Sequence, residues 1–369
     1  MRVLFFNEGN LGSQVMGQGQ LQQALEKGLA AQPEQRLQAR FAPLSPLTPF
    51  EHAMAVKTFG PLTKTGLEFR ALRWHLIQAA RTRRELRREL RAWPADVAHV
   101  HSHSIAFLAG GGGWPPLALS VDCTVHDWWA MPAWRKIEGD RELALRPSSA
   151  LERRAFRRAS LVLAWTGWAR RAVERSAPEA NTVELHPGID LDRYRPAARR
   201  ERELPRILFV GGRFAEKGGE DLLSALSGRL GETVELDVVT PAELAPRPGL
   251  RVHRLGPDAP ELLDLHQQAD LFCLPSYGDA APWAVLEAMA CGTAVLATEV
   301  GGIPDQLDHG RAGVMVRHGD RRALRAAIDA LLEQPGQRGG LGERARARCE
   351  ERFDAVRQTA RLLDLVEGL

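Results

Sequence analysis

Short apolar runs that end in Gly, Ser or His alternate along this chain with longer amphipathic stretches. A brief run with no polar interruption suits a strand buried on both faces, and the stretch after it suits a helix laid across that strand. Their alternation is the signature of βα units and a parallel sheet. The clearest strands of the first half are Arg2–Phe6, Val97–His101, Leu119–Val125 and Leu161–Trp165. The second half supplies Arg206–Val210, Val234–Val239, Leu271–Leu274, Ala294–Ala297 and Gly313–Val316. Between the halves, His186–Pro196 and Ala197–Leu204 collect turn formers and charges without a period, which marks a hinge. The expected architecture is α/β, with two doubly wound domains facing a central cleft in which ligands bind. The first domain is assigned to residues 1–190, completed by a C-terminal helix at 355–369, and the second to 200–354.

Composition narrows the class. With 369 residues, 44% hydrophobic and 26% charged, the chain can bury two cores, which excludes disorder and a small disulfide-stapled scaffold. Its four cysteines lie far apart without CxxC spacing, so neither a zinc site nor a disulfide framework is expected, and the expected compartment is reducing cytoplasm. No run of about 18 apolar residues is present, and MRVLFFNEGN reads as a buried strand rather than a cleavable signal. Only five of the 49 basic residues are lysines, namely Lys27, Lys57, Lys64, Lys136 and Lys217.

One of those lysines lies in a Gly-rich turn. After the strand Arg206–Val210 come Gly211-Gly-Arg-Phe-Ala-Glu-Lys-Gly-Gly219 and a helical run, Glu220–Leu226. Glycines allow a tight turn, a helix start offers N–H groups, and Arg213 and Lys217 add two cations, an arrangement suited to a diphosphate. A Gly-rich strand-to-helix turn with solvated charges fits the same residues.

A second loop precedes an apolar helix assigned to about 282–291, with Pro282 in its first turn and Gly292 at its end. Asp279 lies on the loop and Glu287 inside the helix, so the two acids can reach different hydroxyls of an extended polyol. Ala284, Val285, Leu286, Ala288, Met289 and Ala290 make that helix apolar nearly all round, hence buried, and a buried Glu needs a partner.

Gly212-Arg213-x3-Lys217-Gly218, Asp279-x7-Glu287-Ala-Met-Ala-Cys-Gly292 and Gly301-Gly-Ile-Pro-Asp305, in that order over about residues 205–320, resemble the nucleotide-sugar half of retaining family-4-type glycosyltransferases. The resemblance implies the GT-B fold of two Rossmann-like domains, a nucleotide-sugar donor bound by 200–354 and an acceptor on the first domain. It gives the donor diphosphate to Arg213 and Lys217 beside Gly212, the ribose hydroxyls to Glu287, and hydroxyls of the transferred sugar to Asp279. The first acid of this motif is usually Glu, so Asp279 shortens the arm by one methylene and leaves the sugar open. Pro282 resembles the subset of the family with Pro, rather than Gly, at that loop position, and Asp305 stands where Glu is commoner. The resemblance implies a hexosyltransferase-like activity without a metal or cofactor, the leaving phosphate taking the acceptor's proton. An epimerase or phosphorylase on the same fold, or a non-catalytic sugar-nucleotide binder, is the alternative.

In the first domain, the loop from Gly9 to Gly19 is not G-x-G-x-x-G, which leaves a nicotinamide fingerprint unsupported. In similar proteins it lies beside the donor diphosphate, which makes Gly12 and Gly17 candidates; a plain turn is the alternative. His126-Asp127 closes the strand Leu119–Val125, and the family resemblance puts His126 near the anomeric centre. His99, His101 and His103 would share a strand face and raise a metal site, but no carboxylate or Cys nearby completes a ligand set, and only His103 is expected to face ligand. Asp190-x-Asp192 falls in the hinge turn with no phosphate loop around it, so a metal-binding DxD is rejected.

Residues 69–93 carry eight arginines, with Leu72, Leu76, Ile77, Leu86 and Leu90 spaced like one helical face. An Arg-rich amphipathic helix can dock on anionic lipid; a solvated face with Arg81/Glu85 pairing is the alternative. Nucleic acid is not expected, because no aromatic-basic platform accompanies the charge. The sequence thus predicts a cytoplasmic protein with possible membrane association. The Pro- and Thr-rich stretch 43–66 reads as an acceptor loop or a surface excursion.

Overall fold

The computed structural model describes residues 1–7, 17–32, 37–57, 69–133, 142–186 and 188–369. Gly12 and most of its loop lie outside the described residues. The chain forms two compact units, one from 1–18, 28–186 and 359–369, the other from 19–27 and 187–358.

The first unit contains β1 (Arg2–Asn7), the two ends of α1 (Gly17–Ala30), whose residues 19–27 cluster with the second unit, β2 (Gln38–Pro43), α2 (Pro49–Val56), α3 (Arg70–Ala92), β3 (Val97–Val100), β4 (Leu117–Val121), α4 (Val125–Ala130), α5 (Glu142–Arg158), β5 (Leu161–Ala164), α6 (Gly167–Ser176) and β6 (Thr182–Glu184). The second contains β7 (Arg206–Val210), α7 (Gly219–Ala225), β8 (Glu235–Val239), β9 (Leu250–His253), α8 (Pro260–Gln268), β10 (Leu271–Leu274), α9 (Trp283–Ala290), β11 (Ala294–Thr298), α10 (Ile303–Gln306), β12 (Val314–Val316), α11 (Arg321–Glu333) and α12 (Pro335–Arg352). The last helix, α13 (Ala355–Glu367), clusters from Thr359 onward with the first unit.

Each unit holds a six-stranded sheet, in the orders β2-β1-β3-β4-β5-β6 and β12-β11-β10-β7-β8-β9. Every pairing between these strands is parallel, and most of the connections cross over through a helix, whereas β8 reaches β9 through the non-helical stretch 240–249. The inner strands are buried throughout: β3, β4, β5, β10 and β11 show no exposed residue. Their side chains meet those of the covering helices in one core per unit, around Phe6, Phe107 and Phe156 in the first and Phe209, Phe272 and Ile328 in the second.

Two local expectations are corrected. The strand expected at Leu119–Val125 runs from Leu117 and stops at Val121. Thr124 ends it by capping α4: its Oγ1 accepts the Asp127 N–H at 3.2 Å and donates to Asp127 Oδ2 at 2.5 Å. His126 therefore sits in the first turn of a helix, not at a strand end.

Helix α3 is also rotated from the expected orientation. Ala71, His75, Gln78, Ala79, Thr82 and Leu86 are buried, whereas Leu76 is exposed. Arg81 and Glu85, read as a candidate solvated pair, are buried too. The Arg81 guanidinium donates to the carbonyls of Ser45 at 2.5 Å and Pro46 at 2.8 Å, while Glu85 accepts from the Ser45 N–H and hydroxyl at 3.0 Å. These charge-assisted bonds dock the chain after β2 onto the helix and set which face turns inward.

Candidate functional site

In the second sheet β7 and β10 are neighbours, and chain order reverses at that pair. Loops leaving the carboxyl ends of such a pair line the place where open α/β sheets bind ligands. The loops that leave there are 211–218 and 275–282, and they bring Lys217 and Asp279 together.

Backbone packing fixes both loops. Gly218 has φ +78, and a Cβ there would fall 1.9 Å from the carbonyl oxygen of Pro275. Gly301 has φ +55, and a Cβ there would fall 1.8 Å from the carbonyl oxygen of Asp279. Only glycine admits both the left-handed backbone and the contact. The Tyr277 N–H donates to the Glu216 carbonyl at 2.9 Å, and the Gly302 N–H to that of Ala280 at 2.9 Å, so the three segments are stitched to one another.

Lys217 Nζ forms an ion pair with Asp279 Oδ1. Asp279 is 7% exposed, and its other oxygen, Oδ2, accepts no hydrogen bond among the described residues. Such a buried acceptor without a donor is costly unless a ligand supplies one. Arg213 is exposed on the same loop, where its carbonyl accepts the Lys217 N–H at 2.9 Å.

The expected helix-tip phosphate site is only partly available. The N–H groups of Gly218 and Gly219 are used inside the loop, by Ala215 O at 3.0 Å and Phe214 O at 2.8 Å. The first turn of α7 also carries Glu220 and Asp221. Asp221 is turned towards Tyr277, whose hydroxyl donates to it at 2.5 Å, and Arg321, 2.6 Å away. The helix end thus offers fewer free N–H groups to an anion than the sequence reading expects, while Arg213 and Lys217 remain on the loop.

Glu287 is buried in α9, as its apolar neighbours require. The Tyr194 hydroxyl donates to its Oε1 at 3.2 Å, and His266 Nε2 lies 3.2 Å from Oε2. Burial and then the Glu287 carboxylate push the Tyr194 phenol up from its ordinary value, which keeps it a donor. Neither Tyr194 nor His266 is singled out by the sequence reading. Asp305 is also buried, in α10, with His309 Nε2 3.4 Å away.

In the first unit His126 is exposed and lines a cavity of about 610 Å³. Arg146, Arg153 and Arg175 line it too, with Thr124, Asp127 and Ser149. Arg175 is paired with Asp127 at 3.0 Å. His103, expected to face ligand, is buried instead: its Nε2 is 2.8 Å from Glu152 Oε1, which also accepts the Val125 N–H at 2.8 Å. His99 is hydrogen-bonded to Ser120 at 2.8 Å, and His101 stacks on Phe5. Among the described residues no three His, Cys, Asp or Glu side chains are grouped to hold a metal ion. Asp190 and Asp192 pair with Lys27, at 3.5 and 2.7 Å.

Residues 204–334 match the sequence model of glycosyl transferases group 1, and residues 41–193 that of Glycosyltransferase Family 4. A D-inositol 3-phosphate glycosyltransferase of Thermobispora bispora is 32% identical over 316 residues, covering 76% of this chain and 72% of that one. The chain is a family-4 glycosyltransferase. A D-inositol 3-phosphate glycosyltransferase of Rhodococcus jostii is 29% identical, over 72% of this glycosyltransferase and 65% of the relative. Among solved structures, the sucrose-phosphate synthase of Thermosynechococcus elongatus superposes with a TM-score of 0.73 over 100% of this glycosyltransferase and 99% of that chain, at 17% identity. HepE of Anabaena, solved in complex with UDP and glucose, does so with a TM-score of 0.68 over 100% of both chains, again at 17% identity. At these identities the likeness is one of fold, and the fold is GT-B.

Proposed function

We propose that this glycosyltransferase takes a sugar from a nucleoside-diphosphate donor and passes it to an acceptor with retention of configuration and without a divalent metal. The observation that carries this reading is the Lys217–Asp279 pair at the β7/β10 switch point, with one buried carboxylate oxygen of Asp279 lacking a donor among the described residues. A sugar hydroxyl donating to Oδ2 would satisfy that oxygen, and Lys217 with Arg213 would neutralise the diphosphate.

In the reaction the bond between the anomeric carbon and the diphosphate oxygen breaks, and its electron pair stays on that oxygen. The acceptor oxygen bonds to the same face of the carbon and gives its proton to the departing phosphate. Charge therefore grows on the diphosphate in the transition state, where fixed cations act most strongly. Glu287 is the candidate for the ribose hydroxyls, held in place by Tyr194 and His266. His126 is the first-unit candidate for the sugar.

The acceptor is proposed to be anionic. The relatives are named for D-inositol 3-phosphate, and Arg146, Arg153 and Arg175 line the cavity that His126 shares.

Thermal shift against UDP-, GDP-, ADP- and dTDP-sugars identifies the donor, because ligand bound only to the folded state raises its stability. UDP-glucose heads the panel, since HepE was solved with UDP and glucose. Transfer to inositol 3-phosphate is then compared with transfer to inositol, each with and without EDTA. Activity that persists in EDTA and prefers the phosphorylated acceptor supports the proposal. Activity abolished by EDTA and rescued by metal removes the metal-free mechanism, and isomerised donor without acceptor favours an epimerase.

A further inference from the structure

Helix α2 turns its apolar side chains outward. A capping box specifies its start: Thr48 Oγ1 accepts the Glu51 N–H at 3.2 Å, and the Glu51 carboxylate accepts the Thr48 N–H at 2.9 Å. Helix formation is thus encoded locally, yet only Ala55 of its eight residues is buried. Phe50 is 75% exposed and Met54 42%, with Val56 also exposed.

Helix α3 runs beside it. The Arg73 guanidinium donates to the carbonyls of Met54 and Lys57, and Arg81 Nε lies 3.4 Å from the Glu51 carboxylate. At about 100° per residue, Arg73, Leu76, Ala80, Arg84, Arg87 and Arg91 follow one stripe of α3, opposite the buried Ala71, His75, Gln78 and Thr82. The stripe is apolar where it adjoins α2, with Phe69 and Leu76 exposed, and basic further on, with Arg84, Arg87 and Arg91 exposed.

Charge on this face is one-sided. The acids of the two helices are engaged: Glu51 with Thr48 and Arg81, Glu85 with Ser45 and Arg81, and Glu89 with Arg40 at 2.7 Å. An aromatic ring, a Met and the row Arg84, Arg87 and Arg91, which form no ion pair with a carboxylate among the described residues, match the interface of a bilayer that carries negative headgroups.

We propose that α2 and the outward stripe of α3 form a docking surface for an anionic lipid bilayer, Phe50 and Met54 entering the headgroup layer and Arg84, Arg87 and Arg91 pairing with lipid phosphates. The apolar half of the surface is Phe50, Met54 and Val56 of α2 with Phe69 and Leu76 at the start of α3; of the five apolar positions that the sequence spaces along the arginine-rich helix, Leu76 alone is exposed. Among the described residues no helix is long and apolar enough to cross a membrane, so the contact is peripheral. The proposal is independent of the donor-site reading.

Flotation of the full chain tests it, with vesicles of phosphatidylcholine alone and of phosphatidylcholine containing phosphatidylglycerol. The wild type is expected to float only with the anionic vesicles and to be released by high salt. Phe50→Ser/Met54→Ser and Arg84→Ser/Arg87→Ser/Arg91→Ser should each weaken partitioning at least about tenfold with unchanged melting temperature. Equal flotation with neutral vesicles, no flotation at all, or variants that float like the wild type would overturn it. Self-association that disappears in Phe50→Ser/Met54→Ser, without lipid binding, would assign the face to a second copy of the chain and also overturn it.

Discussion

Replacing Gly301 by Ala tests the site from outside it, through the backbone alone. A Cβ at residue 301 would lie 1.8 Å from the Asp279 carbonyl oxygen, whereas real Cβ atoms essentially never approach closer than 3.0 Å. That carbonyl, or Gly301 itself, must therefore move by more than about 1 Å. The left-handed backbone at φ +55 adds a cost of about 1–2 kcal/mol for any residue with a side chain. Neither effect removes a core contact, so the second unit should stay folded with its melting temperature a few degrees lower. The Asp279 carboxylate would lose its register with Lys217, and a misplacement of about 1 Å costs on the order of 10²-fold in rate. Initial rates of transfer, donor binding by calorimetry and a thermal melt on the same preparation separate the effects. A folded Gly301→Ala protein with wild-type kcat/KM would refute the assignment of this loop to the site.

Lys217→Ala should lower turnover on the order of 10²-fold at saturating donor, as loss of one preorganised charge does, with the fold intact by circular dichroism; wild-type turnover would detach the lysine from the chemistry. Arg81→Ala leaves Glu85 buried and unbalanced and should cost about 3–5 kcal/mol in chemical denaturation, whereas Arg84→Ala, at an exposed position, should stay within about 0.5 kcal/mol. Stability should also fall in mild acid. Burial holds His75 and His101 down to about 3 from 6.5, so both are neutral when folded and bind protons more tightly when unfolded. Their contribution is complete above pH 6.5 and is lost as pH falls from there towards 3. At pH 5 the loss is about 2 kcal/mol for each ring. His101→Asn should flatten the dependence of melting temperature on pH, and parallel profiles for variant and wild type would contradict the account.

Most interior strands were legible because they are nearly continuous apolar runs, the form that burial on both faces imposes; β8, with Glu235 and Asp237, is the interior exception. Three further strands lack that form: β2, β6 and β9. All three lie at sheet edges, where one side of the ladder is open and polar residues are tolerated, so Arg40, Glu184 and Arg251 interrupt the pattern. The loops that bring Lys217 and Asp279 together were readable from Gly218 and Gly301, whose backbone needs leave a residue-level trace. Lys217 and Asp279 were visible as candidates but not as partners, because nothing local encodes a pairing across 62 positions. Tyr194 and His266 were invisible for the same reason: each is an ordinary residue until the fold sets it against Glu287. The misplacement of His126 has a different origin. Val125 extends the apolar run, and only the Thr124-x-x-Asp127 spacing, a helix-start signal, shows that the strand has already ended.

The pairing of Lys217 with Asp279 has a spectroscopic consequence. Between residues 187 and 358 no other lysine occurs, and the whole chain has five. Lysine labelled with ¹⁵N at the side chain would therefore contribute a single resonance from that stretch, and it would originate at the ion pair itself. Under the proposed function, a nucleotide bound at this pair would be read as a shift of that one resonance.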